Sequence, residues 1–354
     1  NVAIGYRALT DITGSGGGGD DNVAIGYDST TSITTGRKNV AIGMNSLKGS
    51  TDADQSVVIG ALACENGDVD VDGVVAVGFS ALNDLTDGAQ NTAIGYMAMS
   101  ELTSSASNVA VGYEALKVLA TGSGSNIAIG HGALDEILTG CCNIAIGTNA
   151  LGNCDGAENE NIAIGNNAGL NLDNGINNTI VGANANASVG NANGQIVIGK
   201  DVTGANNAFA TLGLSTSIKS IDLTSSSASW SGSSDERLKE NIQTSTAGLS
   251  FINELRPVTF NWKKAKDVDK SMSQYQDSEE PALGGEGTYG KIMHGFVAQE
   301  VKSAIDKHSE VKEGFSMWQE WQDGTQAVSD GALVPMLVKA IQELSARVEE
   351  LESK

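Results

Sequence analysis

Asn108-Val109-Ala110-Val111-Gly112-Tyr113-Glu114-Ala115-Leu116 is one copy of a pattern that fills more than half of the chain. The pattern reads N-[VI]-A-[IV]-G-x-x-A-L. Its first five positions recur from Asn1 to Gly5, Asn22 to Gly26, Asn39 to Gly43, Ser56 to Gly60, Val74 to Gly78 and Asn91 to Gly95. They recur again from Asn108 to Gly112, Asn126 to Gly130, Asn143 to Gly147, Asn161 to Gly165, Asn178 to Gly182 and Gln195 to Gly199. After a first gap of 21 residues the closing glycines stand 17 or 18 apart through all twelve copies. A period held that long marks a stack of repeats, each too small to bury its own apolar face.

The physics of one copy suits a parallel β-solenoid. Val2 and Ile4 alternate with Ala3, so one strand face is bulky and the other small, and a small face admits another backbone closely. The closing glycine suits a sharp bend or a positive φ. Asparagine at the start can cap a turn, and stacked asparagines can form ladders between coils. The following Ala-Leu pair (Ala8-Leu9, Ala81-Leu82, Ala115-Leu116, Ala133-Leu134, Ala150-Leu151) supplies a second short apolar side, and Gly/Ser/Asp turns such as Gly14 to Asp21 lie between copies. At about 4.8 Å per rung, twelve rungs predict a rod of roughly 50–60 Å.

Composition divides the chain near residue 200. Residues 1–200 hold six Lys/Arg and no proline or tryptophan, whereas residues 201–354 hold the other 15, all three prolines and all four tryptophans. The net charge of −22 disfavours a phosphate backbone as partner, so nucleic-acid binding is not expected. No run approaches 18 apolar residues, so membrane insertion is not expected either. Nothing at the start resembles a signal peptide, and the chain starts inside the pattern, as a piece of a longer protein would.

The repeat half offers little chemistry. Cys64, Cys141, Cys142 and Cys154 have neither metal-ligand spacing nor a disulfide framework, and read as free thiols. Asp68-Val69-Asp70-Val71-Asp72-Gly73 mimics the start of a calcium loop, but Phe79 stands where a bidentate Glu belongs. A solvated acidic turn is the plain reading; Asp68, Asp70 and Asp72 remain a weak Ca²⁺ candidate. No other metal and no cofactor is implied. His131 takes a variable slot and reads as a surface residue. No paired-carboxylate arrangement is visible.

Residues 200–233 leave the period. Phe209 to Leu214 and Ile218 to Leu223 read as short strands, and Thr224 to Ser234 is Ser-rich around Trp230. Then comes Ser233-Ser234-Asp235-Glu236-Arg237-Leu238-Lys239-Glu240-Asn241-Ile242. Ser233-x-x-Glu236 fits a capping box, on which reading Ser234 and Lys239 are ordinary surface groups. A serine and a lysine near each other can also form a nucleophile and its base. On one α-helix five residues separate them by about 140°, so either Ser234 lies in an extended entry or the lysine comes from another protomer.

The string S-D-E-R-L-K-E-N-I resembles the opening of the intramolecular-chaperone, self-processing domain of phage tail spikes and fibres, the endosialidase type. Three further blocks follow in that family's order: Leu255-Arg256-Pro257-Val258-Thr259-Phe260-Asn261-Trp262, His294-Gly295-Phe296-Val297-Ala298-Gln299-Glu300-Val301, and the terminal stretch from Leu333 to Leu344. Residues 263–290 and 302–330 fit less well, and Ser329-Asp330-Gly331 replaces an expected aromatic residue. The resemblance implies that Ser234 and Lys239 form the catalytic pair, that the scissile bond is Ser233–Ser234, and that the reaction is a single self-cleavage. His294 is a weak third candidate beside the plain reading of a strand or turn histidine. The base role requires burial that depresses the lysine pKa, and Asp235 and Glu236 oppose it unless turned away. The repeats in turn resemble the head repeats of trimeric autotransporter adhesins, a β-roll packed three together, here with a longer period.

Short helices are predicted at Gly248 to Leu255 and Gln299 to Ile305, with a strand around Val258 to Trp262. At the end, Val334, Ile341 and Val348 fall on heptad position a and Leu337, Leu344 and Leu351 on d, a three-heptad coiled coil over 333–354. β-branched a with Leu d favours dimers in isolation, but both resemblances imply a trimer.

The expected architecture is a β-solenoid of 17–18-residue repeats (1–199), intertwined or packed as a homotrimer, a Ser-rich transition (200–233), and a small α+β chaperone domain (234–354). The expected protein is a phage tail fibre, made in the bacterial cytoplasm and carried on the virion, whose partner is a host cell-surface receptor or polysaccharide. The alternatives are a bacterial trimeric surface adhesin, which would carry a membrane-anchoring barrel, and a polysaccharide-degrading tail spike, which would need paired carboxylates in a groove.

Overall fold

The computed structural model describes residues 1–354 except 14–17, 67–71, 120–123, 216, 227–229, 233, 273, 284–289, 313–314 and 322. The chain divides into two compact units, Asn1–Ser234 and Asp235–Lys354.

In the first unit each repeat forms one three-residue strand. The strands are Val2–Ile4, Val23–Ile25, Val40–Ile42, Val57–Ile59, Val75–Val77, Thr92–Ile94, Val109–Val111, Ile127–Ile129, Ile144–Ile146, Ile162–Ile164, Thr179–Val181 and Ile196–Ile198 (β1 to β12). They pair in sequence order, parallel and in register, Val2 on Val23 and Ile162 on Ile144. The two strands expected beyond the period are Phe209–Leu214 (β13) and Ser217–Asp222 (β14). β13 adds to β12 in parallel, and β14 folds back antiparallel on β13. Ser231 then exchanges two backbone hydrogen bonds with Ser220, 2.8 and 2.9 Å.

The middle residue of each strand from β2 to β12 points inward, and in most rungs it is alanine. Ala24, Ala41, Ala76, Ala93, Ala110, Ala128, Ala145 and Ala163 are fully buried, opposite Leu82, Leu116, Leu134 and Leu151 of the second side. Val58, Ile180 and Val197 take the same inward place in β4, β11 and β12 and are also fully buried. The first and third residues of each triplet, mostly Val and Ile, face outward: Ile94 is 40% exposed and Ile164 39%. The face expected to admit a close neighbour is thus the solenoid's own core, and the bulky face is its surface.

The asparagine ladder forms. The Asn108 Oδ1 accepts from the Asn126 backbone N–H (3.0 Å) and Nδ2 (3.3 Å), and the Asn126 Nδ2 also donates to the Gly140 carbonyl (3.0 Å). The same pattern repeats at Asn143, Asn161 and Asn178. These asparagines are buried, so each bond removes a desolvation cost. The closing glycine is needed twice over. At Gly95 φ is +144°, and a Cβ would stand 2.1 Å from the Gly112 carbonyl oxygen of the next rung.

The second unit gathers the blocks of its sequence around one core. Leu249–Ile252 (α1), Ala298–Lys307 (α2) and Val334–Glu352 (α3) are its helices. Val258–Phe260 (β15) pairs antiparallel with Met293–Gly295 (β16), and Trp318–Glu320 (β17) with Gln326–Val328 (β18). Phe251, Val301, Ala304, Ile305, Met317 and Leu333 are buried together. Glu343 of α3 accepts the Leu249 N–H at 2.8 Å, tying the last helix to the first.

Candidate functional site at the junction

The junction is built on one short turn. Glu236–Leu238 is a single 3₁₀ turn, and its N-cap is Asp235, extended at φ −63°, ψ 135°. The capping box predicted from Ser233 is therefore not what caps it; Ser233, and with it the expected Ser233–Ser234 bond, lies outside the described residues. Asp235 Oδ1 accepts from the Arg237 backbone N–H (2.9 Å) and Nε (3.0 Å), and Oδ2 from Nη2 (2.6 Å). These bonds hold the Asp235 carboxyl below the usual carboxylate range, with Lys239 adding the weakest contribution, and they raise Arg237. Arg237 therefore occupies the carboxylate that would otherwise oppose a neutral lysine.

Lys239 follows the turn in extended conformation, φ −122°, ψ 145°, and its N–H closes the turn on the Glu236 carbonyl (3.0 Å). Ser234 precedes the cap and belongs to no helix. Serine and lysine thus flank one 3₁₀ turn rather than lying on an α-helix, which removes the angular objection to their meeting. Both are exposed in the single chain, as is every described residue from Ser234 to Thr246.

The remaining blocks sit where they can support a domain. β15 and β16 come from two of them, and Arg256 clamps Glu300 with Nε–Oε2 at 2.9 Å and Nη2–Oε1 at 2.5 Å. That fork lowers the Glu300 pKa and raises that of Arg256. His294 pairs with Thr259 across the ladder, and both are exposed on the face opposite Val258 and Phe260. His308, which the sequence did not single out, is 12% exposed at its side chain and lies 2.8 Å from Glu310 and 3.2 Å from Glu254. The Glu310 contact, then Glu254, raises its pKa.

Asp68 and Asp70 lie outside the described residues. Asp72 accepts the Asp54 backbone N–H at 2.7 Å, a rung-to-rung cap. Among the described residues no group of three or more His, Cys, Asp or Glu could hold a metal ion. No described helix is long and apolar enough to cross a membrane. The four cysteines are free, and burial pushes Cys64 up to about 12. His131 is exposed and stacks on Tyr113, centroids 5.0 Å apart.

The sequence reading missed a second constellation. Asp84 and Glu101, 17 residues apart in the chain, line one cavity of about 340 Å³ on the solenoid. Only the repeat period signals that pairing, since equal slots of successive rungs become neighbours.

No curated protein and no solved structure matches the chain. Residues 234–310, beginning at the serine of the junction, match the family described as the chaperone of endosialidase, Peptidase_S74, a self-cleaving intramolecular chaperone, and with a twelve-rung solenoid ahead of it this match fits an endosialidase-type tail-fibre protein.

Proposed function

We propose that the chain is the C-terminal part of a homotrimeric phage tail fibre, carried on the virion and used for host attachment. The second unit aligns three chains, lets the solenoids stack, and then releases itself by cutting the Ser233–Ser234 bond. The observation that carries the reading is the family match that starts at residue 234, the first residue after the proposed cut.

The physical need for such a device follows from the rungs. Every strand pairs with a near-copy of itself, so a slip by one repeat loses little pairing energy and must be prevented elsewhere. Two unpartnered apolar surfaces support assembly. The outward Val/Ile face runs the length of the solenoid. On α3 the heptad positions Val334, Leu337, Ile341, Leu344, Val348 and Leu351 are all exposed, Ile341 to 65% and Leu351 to 70%, as a coiled-coil seam would be before its partners arrive.

In the proposed reaction the Ser234 hydroxyl attacks the Ser233 carbonyl carbon. Neutral Lys239 takes the hydroxyl proton and returns it to the departing Ser234 nitrogen, and water then hydrolyses the ester. Trimer assembly supplies the burial that Lys239 lacks in one chain, so cutting waits for three correctly aligned copies.

Intact mass after expression tests this. A C-terminal fragment starting at Ser234 is expected from the natural sequence and none from Ser234→Ala. An uncut natural chain in a purified trimer, or cutting of the Ser234→Ala chain at the same bond, refutes it.

A further inference from the structure

The solenoid is uniform by construction, so specific chemistry belongs where its rungs depart from the repeat. Two such departures fall on the same neighbouring rungs, those of β5 and β6. The first is a ladder of exposed rings in the slot after the closing glycine. Phe79, Tyr96, Tyr113 and His131 stack at 5.4, 5.0 and 5.0 Å, within 12° of parallel. The ladder starts abruptly. One rung earlier the slot holds Ala61, so the face of Phe79 turned toward that rung carries no ring.

The second is the cavity of about 340 Å³, lined by Ser80, Asn83, Asp84, Met97, Ser100 and Glu101. Ser80 and Met97 follow Phe79 and Tyr96 directly in the chain. Asp84 and Glu101 each stand six residues after a closing glycine, so stacking sets them about 5 Å apart along the solenoid. Asn66 orients the polar wall, donating to Asn83 Oδ1 and Asp84 Oδ1, each at 2.9 Å. Lys117 touches Glu101 only loosely, at 3.7 Å. Ser100 is 4% exposed, and its Oγ has no hydrogen-bond partner among the described residues. A buried hydroxyl without a partner is a lasting cost that a ligand hydroxyl would relieve.

We infer that this cavity binds a saccharide unit of a surface polysaccharide, neutral or amino-bearing. The inference rests on reading the solenoid as the attachment part. Two carboxylates, an amide and a hydroxyl accept and donate to vicinal sugar hydroxyls, while Met97 meets the C–H face of the ring. The two carboxylates and the net charge of −22 select against uronate or sialate polymers. Two carboxylates alone do not make a cation site here, since no described group of three acidic, His or Cys residues could hold a metal ion.

The test uses the full trimeric protein against an array of purified bacterial lipopolysaccharides and capsular polysaccharides, neutral, amino-bearing and acidic. In parallel, the fluorescently tagged protein is tested for labelling of bacterial cells. Binding confined to neutral or amino-bearing glycans is expected, falling about tenfold or more in the Asp84→Asn, Glu101→Gln double variant. Ser100→Ala is expected to weaken binding while leaving the melting temperature unchanged or higher, a split that a purely structural serine would not give. Equal binding by properly assembled variants overturns the site and leaves attachment standing. Equal binding of acidic glycans, or of no glycan by a protein that still labels cells, overturns the saccharide assignment alone. Failure to label any cell overturns the attachment reading itself.

Discussion

Replacing Asn143 by alanine should damage the solenoid by an amount that can be worked from its bonds. The Asn143 Nδ2 donates to the Glu158 carbonyl (2.8 Å) and to Asn126 Oδ1 (3.1 Å), and its Oδ1 accepts the Asn161 N–H (3.0 Å) and Nδ2 (3.2 Å). Asn126 Oδ1 keeps the Asn143 backbone N–H, and Asn161 Nδ2 keeps the Gly175 carbonyl. Two groups lose the partners they have here, the Glu158 carbonyl and the Asn161 N–H. At about 1–3 kcal/mol for each buried group left unpaired, the cost is about 2–6 kcal/mol. Serine offers a graded control, because Ser56 already stands in the ladder and its Oγ accepts the Val74 N–H at 3.2 Å. Asn143→Ser should therefore keep the Asn161 N–H satisfied and recover about half of the loss. The assay is native-state hydrogen exchange on the assembled protein, since heat unfolding of such an assembly is prone to irreversibility. The Asn161 amide should lose protection in the alanine variant and largely retain it in the serine variant. If the alanine variant lies within about 0.5 kcal/mol of the natural protein and Asn161 stays protected, the ladder contributes shape and not stability, and the reasoning fails.

Gly95→Ala combines a left-handed backbone demand with a Cβ placed 2.1 Å from the Gly112 oxygen, and should cost about 2–5 kcal/mol, read as lost protection in the rungs of β6 and β7. Arg256→Lys keeps the charge but breaks the fork on Glu300, so the urea midpoint of the second unit should fall slightly; no change would make the clamp a surface pair of no consequence. His308 contributes to stability through its protonated form, because contacts with Glu310 and Glu254 raise its folded pKa. That contribution is full below the unfolded value of about 6.5 and disappears as pH rises through the higher folded value. The stability of the second unit relative to His308→Gln should accordingly decline with pH across that window, and a flat difference refutes the linkage. Coexpressing Ser234→Ala and Lys239→Ala chains should restore partial cutting of the Lys239→Ala chain if the lysine acts across protomers; an uncut mixture in formed trimers places the pair within one chain.

The sequence by itself determined the strands, their order and register, and the place where the solenoid ends. A period of 17–18 residues leaves each Val-Ala-Ile triplet only its neighbour's triplet to pair with, and Asn, Gly and Leu recur at slots whose roles follow from capping, positive φ and burial. The four ordered blocks from Ser234 to Leu344 likewise pointed to the family that residues 234–310 match. What the sequence left open is which strand face turns inward, because Ala and Val/Ile are both apolar. The stack turns the middle residue of each triplet inward, alanine in most rungs and Val58, Ile180 and Val197 in the others. Tertiary stacking also decides lateral neighbours: it brings Asp84 to Glu101, and it turns four unrelated-looking residues after glycine into one stack of rings. It even lets one rung break the pattern inside the core. Glu158 is fully buried where Gly140 and Gly175 stand in adjacent rungs, its Oε1 accepting the Asn174 N–H at 2.7 Å, and Cys154 replaces the bulk of Ile137 and Leu172 to make room. At the junction the cap of the single turn is Asp235, whose carboxylate accepts the Arg237 backbone N–H and is gripped by the Arg237 guanidinium.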